Sequence, residues 1–506
     1  MPNPPAIESE IDVLYTTLHK YTAHQITLDE LLQLIGEVPL LFNLLTASIE
    51  HTDTTHYITV KQCITRIATD NHTLLQSNDM IQYYTYGLNY HDENIRSYTI
   101  ELITLLCKSD ESWLIQHNHK LFDQLCTMLV NDNSLIVISS LHKLFDTVQN
   151  KSILLSKMNE QTKQYQSLDN QQIIKLLRVY DVLINIIIYN KSIDTTIQDG
   201  TINNLLSLYD KLSIDPLSRL NVLELLQTFI TQSQSINTTQ QINIIEHIVQ
   251  SINSNDAVSN LILGPIFDLV DKISLKSRKQ GNPIEYSLST YHELYNIFTH
   301  ILNDRSIGDT LLAQCIGCMS SIATTYTGLQ LLIQNDILYR IGKFVSNTGD
   351  VLKLSSLHSI EIILNTIYKS DQQHEIMSIK HKLFDSIGAY RNTSTMSILQ
   401  PMLKLPFTEL KLKTYSVIES LAALPIAFDI LISHTPGFIE YLVNRNNEAT
   451  INGQTAKYSV INALINNSQF HTIDKTIQKQ LIDYKDTGLY TIEQQTRVMD
   501  PVYRPA

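Results

Sequence analysis

PFTELKLKTYSVIESLAALPIAFDILISHTPGFIEYLVNRNNEATINGQTAKYSVINALINN, residues 406–467, decides the fold. Leu410, Thr414, Val417, Leu421 and Leu424 step by 4, 3, 4 and 3, with Ile418 beside them. That spacing predicts one apolar stripe on a helix of about four turns. Pro425 ends it, because proline lacks an N–H and its ring clashes with the preceding turn. A short second helix should bury Phe428, Leu431 and Ile432. Thr435-Pro436-Gly437 punctuates the chain, with Thr435 as a cap and Pro436 at the first helical position. A third helix carries Phe438, Tyr441 and Leu442, and a fourth carries Tyr458, Ile461, Leu464 and Ile465. Short helices of this kind are not stable alone and need stacked neighbours, which is the logic of a helical repeat array.

The neighbours lie upstream. Leu74-Leu75-Gln76-Ser77-Asn78-Asp79-Met80-Ile81 is echoed by Leu114-Ile115-Gln116-His117-Asn118-His119-Lys120-Leu121, an offset of 40. The register persists: Asp92 pairs with Asp132, Ile95 with Leu135, Tyr98 with Ile138 and Leu105 with Phe145. The phrase returns as Leu331-Leu332-Ile333-Gln334-Asn335-Asp336-Ile337-Leu338, and more loosely from Ile430. Asp92-x-x-x-Arg96 and Asp215-x-x-x-Arg219 each precede an apolar stripe, and Val351 and Glu409 open two more such helices. Armadillo and HEAT units run about 40–47 residues, so the chain has room for roughly 10–12. The expected fold class is all-α, an armadillo/HEAT-like helical repeat solenoid over 10–487. Residues 1–9 read as a disordered start and 488–506 as a polar, flexible tail. Ser152–Gln172 and Lys272–Tyr286 are polar and read as long loops.

A 506-residue chain exceeds the roughly 250–300 residues of a single compact core, a limit that a solenoid escapes by growing in one dimension. Glycine (14) and proline (13) are scarce, as helix interiors require. The net charge of −13, without a long run of Lys and Arg, argues against non-specific nucleic-acid binding. The N-terminus has neither the basic nor the apolar region of a signal peptide. The most apolar run, Val182–Tyr189, falls far short of the roughly 20 residues of a membrane span. Five thinly spread cysteines suit a reducing compartment, so the expected location is the cytoplasm or nucleus.

Chemistry-bearing candidates are few. Cys315-Ile316-Gly317-Cys318 is a CxxC without a second pair or a βαβ context, and reads as small core residues on an apolar helix. His374-Glu375 and His381 are seven residues apart at the histidines, not the four that put both on one face; His292-Glu293 fails similarly. No phosphate-binding loop, dinucleotide fingerprint or nucleophile elbow occurs. The Asp/Arg pairs could form a partner-binding ladder, but each Asp capping its helix and each Arg bonding the next unit is the favoured reading. Trp113, the only tryptophan, reads as core, which argues against an adaptor that grips basic peptides on an Asn and Trp ladder. No catalytic, cofactor or metal residue is assigned, and the partner-binding residues stay open.

Three phrases carry a resemblance: 406–410 (PFTEL), 435–445 (TPGFIEYLVNR) and 456–464 (AKYSVINAL). In order and spacing they resemble the 26S proteasome non-ATPase regulatory subunit 5 family of base-assembly chaperones. Val38–Leu45 looks like the family's early helix, and 215–226 is the best middle segment. Asn444 stands where an acidic residue is usual, and 446–455 diverges. The resemblance implies a curved all-α solenoid that is not an enzyme, uses no cofactor and is monomeric when free. It implies transient binding to the C-terminal domain of the proteasomal ATPase regulatory subunit 7, together with that subunit's ATPase neighbour and a large non-ATPase subunit. It also implies release, so that the chaperone is absent from the finished particle. The alternative is an armadillo-type protein-binding adaptor with another partner.

Overall fold

The computed structural model describes residues 4–488 except 36–37, 51–53, 116–117, 149–150, 165–168, 190–194, 214, 234–235, 253–258, 280–283, 369–372, 407 and 433–434. Every regular element among the described residues is helical. The chain forms two compact units, Met1–Leu205 with Gln232–Ser235, and Leu206–Thr231 with Ile236–Ala506.

The first unit contains α1 (Pro4–Thr22), α2 (Leu28–Ile35), α3 (Pro39–Glu50), α4 (Thr54–Asp70), α5 (His72–Leu75), α6 (Asn78–Leu88), α7 (Glu93–Ser109), α8 (Glu111–Ile115), α9 (His119–Asn131), α10 (Leu135–Thr147), α11 (Lys151–Gln164) and α12 (Asn170–Tyr189). The 40-residue echo is now physical. In each repeat a short helix (α5, α8) turns into a second (α6, α9), and a third returns (α7, α10). Asp92 accepts from the N–H groups of Asn94 and Ile95 and caps α7; Ser134 caps α10. Such caps satisfy N–H groups that have no partner inside the helix. Helices α7 and α10 pack side by side, with Ser97 and Ser140 hydroxyls 2.9 Å apart.

In α13 (Thr195–Lys211) the chain passes into the second unit. There follow α14 (Pro216–Gln232), α15 (Thr238–Gln250), α16 (Ser259–Lys279), α17 (Leu288–Asn303), α18 (Asp309–Ile322), α19 (Tyr326–Ile333), α20 (Ile337–Asn347), α21 (Asp350–Asn365), α22 (Gln373–Ala389), α23 (Thr395–Met402), α24 (Thr408–Ala422), α25 (Pro425–Ile432), α26 (Phe438–Val443), α27 (Ile451–Asn466) and α28 (Lys475–Thr487). Helices α16, α18, α21, α24 and α27 stand in one row, each packed on the next. Close approach is set by small residues. A Cβ at Gly342 would lie 2.6 Å from the Ser386 carbonyl carbon, so only glycine lets α20 lie this near α22.

The ends of the helices are closed by cations from other elements, which is where a positive charge offsets both unpaired carbonyls and the helix dipole. Arg178 donates to the carbonyls of Val130 and Asp132, Lys276 to Ile230 and Thr231, and Lys380 to Leu364 and Thr366.

The 406–467 stretch folds largely as its spacing predicts. Leu410, Thr414, Val417, Ile418 and Leu421 are buried on α24, and Pro425 opens α25. Leu431, Phe438, Leu442, Ile461 and Leu464 are buried as well, whereas the Phe428 side chain lies outside the described residues. Two details differ there and two elsewhere. Gly437, at a left-handed φ of 75°, starts α26, and the Thr435 hydroxyl turns back to the Ile430 carbonyl instead of capping forward. The polar stretches read as loops are largely helical: α11 fills most of 152–172, and α16 runs through Lys279. Gln and Lys are good helix formers, and Leu154, Leu155 and Met158 suffice to seat α11. At the N-terminus, α1 begins at Pro4, within the stretch read as disordered, where proline in a first turn costs no hydrogen bond. Residues 489–506 of the expected tail lie outside the described residues.

Candidate partner-binding surface

The polar residues singled out in the sequence have structural positions. Arg96 forms a forked pair with Asp132 of the next repeat, at 2.8 and 3.2 Å, and also donates to the carbonyls of Tyr90 and His91. Asp215 caps α14, and its carboxyl is held low by the Ser218 hydroxyl and N–H. Arg219 is buried, stacks on the Tyr209 ring at 4.0 Å and donates to Ser251. The Asp/Arg pairs therefore brace repeats. Trp113 is core: its indole N–H donates to the Gln76 carbonyl at 2.7 Å, and Tyr84 meets its ring edge-on.

Cys315 and Cys318 are fully buried on α18, and burial pushes both thiols far up. His374 and Glu375 are exposed; Glu375 accepts from Gln330 at 2.9 Å, and His381 turns to Asp385 at 3.4 Å. No group of three or more His, Cys, Asp or Glu among the described residues is placed to hold a metal ion. Among the described residues, no single helix is long and apolar enough to cross a membrane. Two surface hollows, of about 490 and 450 Å³, are each lined by successive turns of one helix, around Tyr295 and His300 on α17 and around Lys61 and Arg66 on α4.

All five cysteines are free and buried, and burial pushes Cys63 and Cys126 up to about 12 from the usual 9. In the folded chain these thiols stay protonated where the unfolded chain ionises. Their contribution to stability is whole below about pH 9 and is lost as pH rises toward about 12. Lys380 and Lys457, lowered by burial to about 8 from 10.5, act oppositely between those values, because there the unfolded chain holds the extra protons. At about pH 8 a thiol reagent should therefore find no reactive cysteine in the native protein and all five after denaturation. Rapid labelling of Cys315 or Cys318 in the native state would refute this assignment.

A buried polar knot that sequence reasoning missed lies beneath the family-like phrases. Glu448, 3% exposed, accepts from Tyr415 at 2.6 Å, Tyr441 at 3.2 Å and Lys411 at 3.3 Å. Lys457 is wholly buried and donates to the Asn444 carbonyl, while Arg445 stacks on Tyr484 and closes the end of α28. Tyr441, Asn444, Arg445 and Lys457 belong to the quoted phrases, so those phrases fasten α24, α26, α27 and α28 together. Glu448 sits in the divergent 446–455 loop, where only its charge in a polar run marks it.

What the second unit leaves open is the solvent side of its row, where Leu261 and Asp268 of α16, Leu354 and Glu361 of α21, and Leu412 and Glu419 of α24 are exposed or half-buried. Leu217 and Glu224 are exposed on α14, whose end Lys276 ties to α16. Glu361 is bridged by Lys413 at 3.1 Å, and Asp268 accepts from Gln314 at 3.0 Å. Glu419 is raised by burial and by Glu361.

Stacked helices with braced ends define a helical-repeat solenoid. The family model described as "Proteasome non-ATPase 26S subunit" matches residues 7–499, and the chain belongs to that family. It is 22% identical over 396 residues to the 26S proteasome non-ATPase regulatory subunit 5 of Homo sapiens, covering 75% of this chain and 74% of that one. The Mus musculus protein of the same name is 21% identical over 398 residues, again covering 75% and 74%. Among solved structures, Kap121p is similar at a TM-score of 0.49 and 12% identity, over 97% of this chain and 53% of that one. Importin beta is similar at 0.46 and 11%, over 95% and 69%.

Proposed function

We propose that the chain is a non-enzymatic chaperone for assembly of the base of the 26S proteasome regulatory particle. It binds the C-terminal domain of the ATPase regulatory subunit 7 transiently, together with that subunit's ATPase neighbour and a large non-ATPase subunit, and leaves before the particle is complete. The observation that carries this reading is family membership across 7–499, which includes the phrases at 435–445 and 456–464. Two features support it. The notable buried ionisable groups described above brace helices, and a −13 chain suits fast encounter with a basic partner. The free chaperone is a monomer in the cytoplasm, and in the nucleus as well. A transient holder needs a moderate and partly polar contact, unlike the greasy interface of an obligate complex.

The test is direct. Purified chain mixed with the isolated C-terminal domain of regulatory subunit 7 should give a complex of one copy each by light scattering. The corresponding domains of the other base ATPases should bind less tightly. No complex, or equal binding to every ATPase domain, would remove this reading.

A further inference from the structure

The open side of the second unit carries one motif four times. A leucine is followed seven residues later by a carboxylate in Leu217/Glu224, Leu261/Asp268, Leu354/Glu361 and Leu412/Glu419. Seven residues are about two helical turns, so both side chains share one face, about 10 Å apart along the axis. The helices that carry them are linked in order. Lys276 of α16 donates to the end of α14, Gln314 of α18 to Asp268, Ser355 of α21 to the Ala313 carbonyl at 2.9 Å, and Lys413 of α24 to Glu361. Gln314 with Asp268 and Ser321 with Asp271, and likewise Ser355 with Ala313 and Ser359 with Ile316, advance in the same sense, so α16, α18 and α21 run parallel. The leucines and carboxylates of α16 and α21 therefore face the same side, and those of α14 and α24 adjoin them through Lys276 and Lys413.

Both sets are open to solvent at several points. Leu217 is 68% and Leu261 60% exposed, and Val351, 56% exposed, adds to the aliphatic band on α21. Between them α18 carries one acid, Asp309 at its start, and none on its later turns. A Cβ at Gly317 would meet nothing within 4 Å, so the surface is open there. Lys272 neighbours Asp268, and Lys413 and His358 both neighbour Glu361, but Glu419 has only burial and Glu361 acting on it.

We propose that this face is a docking groove for an amphipathic basic helix of a partner protein, laid across the row. Charge complementarity selects the occupant: its apolar stripe covers the leucine band, and its lysines and arginines lie over the carboxylate band. The spacing fixes its pattern. Packed helices stand about 8–10 Å apart, and seven residues of the occupant rise about 10 Å, so its basic residues should recur at heptad spacing. This inference rests on the scaffold reading and names the chemistry of what the scaffold grips.

The probe is a fluorescent amphipathic peptide of about 20 residues, long enough to hold a helix, with leucines on one face and lysines at heptad spacing. Its counterpart has glutamates in place of the lysines. The full-length chain should bind the lysine peptide and not the glutamate peptide, and binding should weaken with added salt because the acids are partly solvated. Glu224→Lys with Asp268→Lys should weaken binding about tenfold or more. Glu293→Lys with Glu440→Lys, exposed and away from the row, should leave it nearly unchanged. Matching thermal melts would show that both variants fold. Equal binding of the two peptides, or equal loss in both variants, overturns the proposal. The same variants tested on the regulatory subunit 7 domain separate the two ideas. Peptide binding that depends on Glu224 and Asp268, without any ATPase binding, keeps the groove and rejects the ATPase reading. ATPase binding by a chain that ignores the lysine peptide does the reverse.

Discussion

Replacing Glu448 with Ala should lower unfolding stability by about 3–5 kcal/mol, the cost of removing one partner from a buried ionic network. The carboxylate is 3% exposed and satisfies two tyrosine hydroxyls and the Lys411 ammonium together. Without it, Lys411 loses its counter-charge in a site where only 18% of its side chain meets water. Burial raises the Tyr415 phenol strongly, and the bond to Glu448 adds to that shift. The two phenols can still bond to each other at 3.2 Å, and Tyr441 keeps the Leu403 carbonyl at 3.0 Å, so the damage falls mainly on the charge. Lys457 should respond as well. Burial lowers it to about 8 and Glu448 raises it, so the variant should carry a less basic Lys457. Tyr441→Phe removes one hydroxyl and should cost only about 1 kcal/mol. Urea denaturation followed by far-ultraviolet circular dichroism reads both. A loss under about 1 kcal/mol for Glu448→Ala would mean the knot does not fasten the last helices.

The second large effect is expected at Trp113. Trp113→Ala should destabilise the first unit by about 3–5 kcal/mol, as for other buried aromatic-to-alanine changes. The indole is 5% exposed, meets Tyr84 edge-on with ring centres 5.8 Å apart, and bonds to the Gln76 carbonyl of the preceding repeat. Tyr84 in turn donates to the Leu75 carbonyl at 2.6 Å. Truncation thus opens a cavity and unties two repeats at once. Trp113→Phe retains most of the packing and should recover more than half of the loss. Because Trp113 is the only tryptophan, wild-type indole emission reports the first unit alone. It should be that of a buried indole, shifting to longer wavelength on unfolding. Native emission typical of a solvated indole would contradict the assignment.

The architecture was legible where the sequence repeats itself. The stripe from Leu410 to Leu421, the break at Pro425 and the 40-residue echo of Leu74–Ile81 follow from helical period and proline stereochemistry, and all three appear in the structure. The Asp92/Arg96 brace was legible because a cap and a cross-repeat partner need those residue types at that offset. Three things were not legible. Polar stretches such as 152–164 carry too few apolar residues to announce a helix, yet tertiary packing needs only one buried line of them. Glu448 has no pattern, because its role depends on Tyr415 and Lys411, more than thirty residues earlier in the chain. The leucine–carboxylate pairs are visible as spacings, but only the side-by-side helices turn them into one face.

The proposed role is to hold ATPase subunits before the proteasome base is complete. Counting its copies by quantitative mass spectrometry in separated assemblies tests that most directly. The account predicts roughly one copy for each free ATPase module and almost none in the finished 26S particle. One stable copy in every finished particle, or none in the free modules, would contradict it.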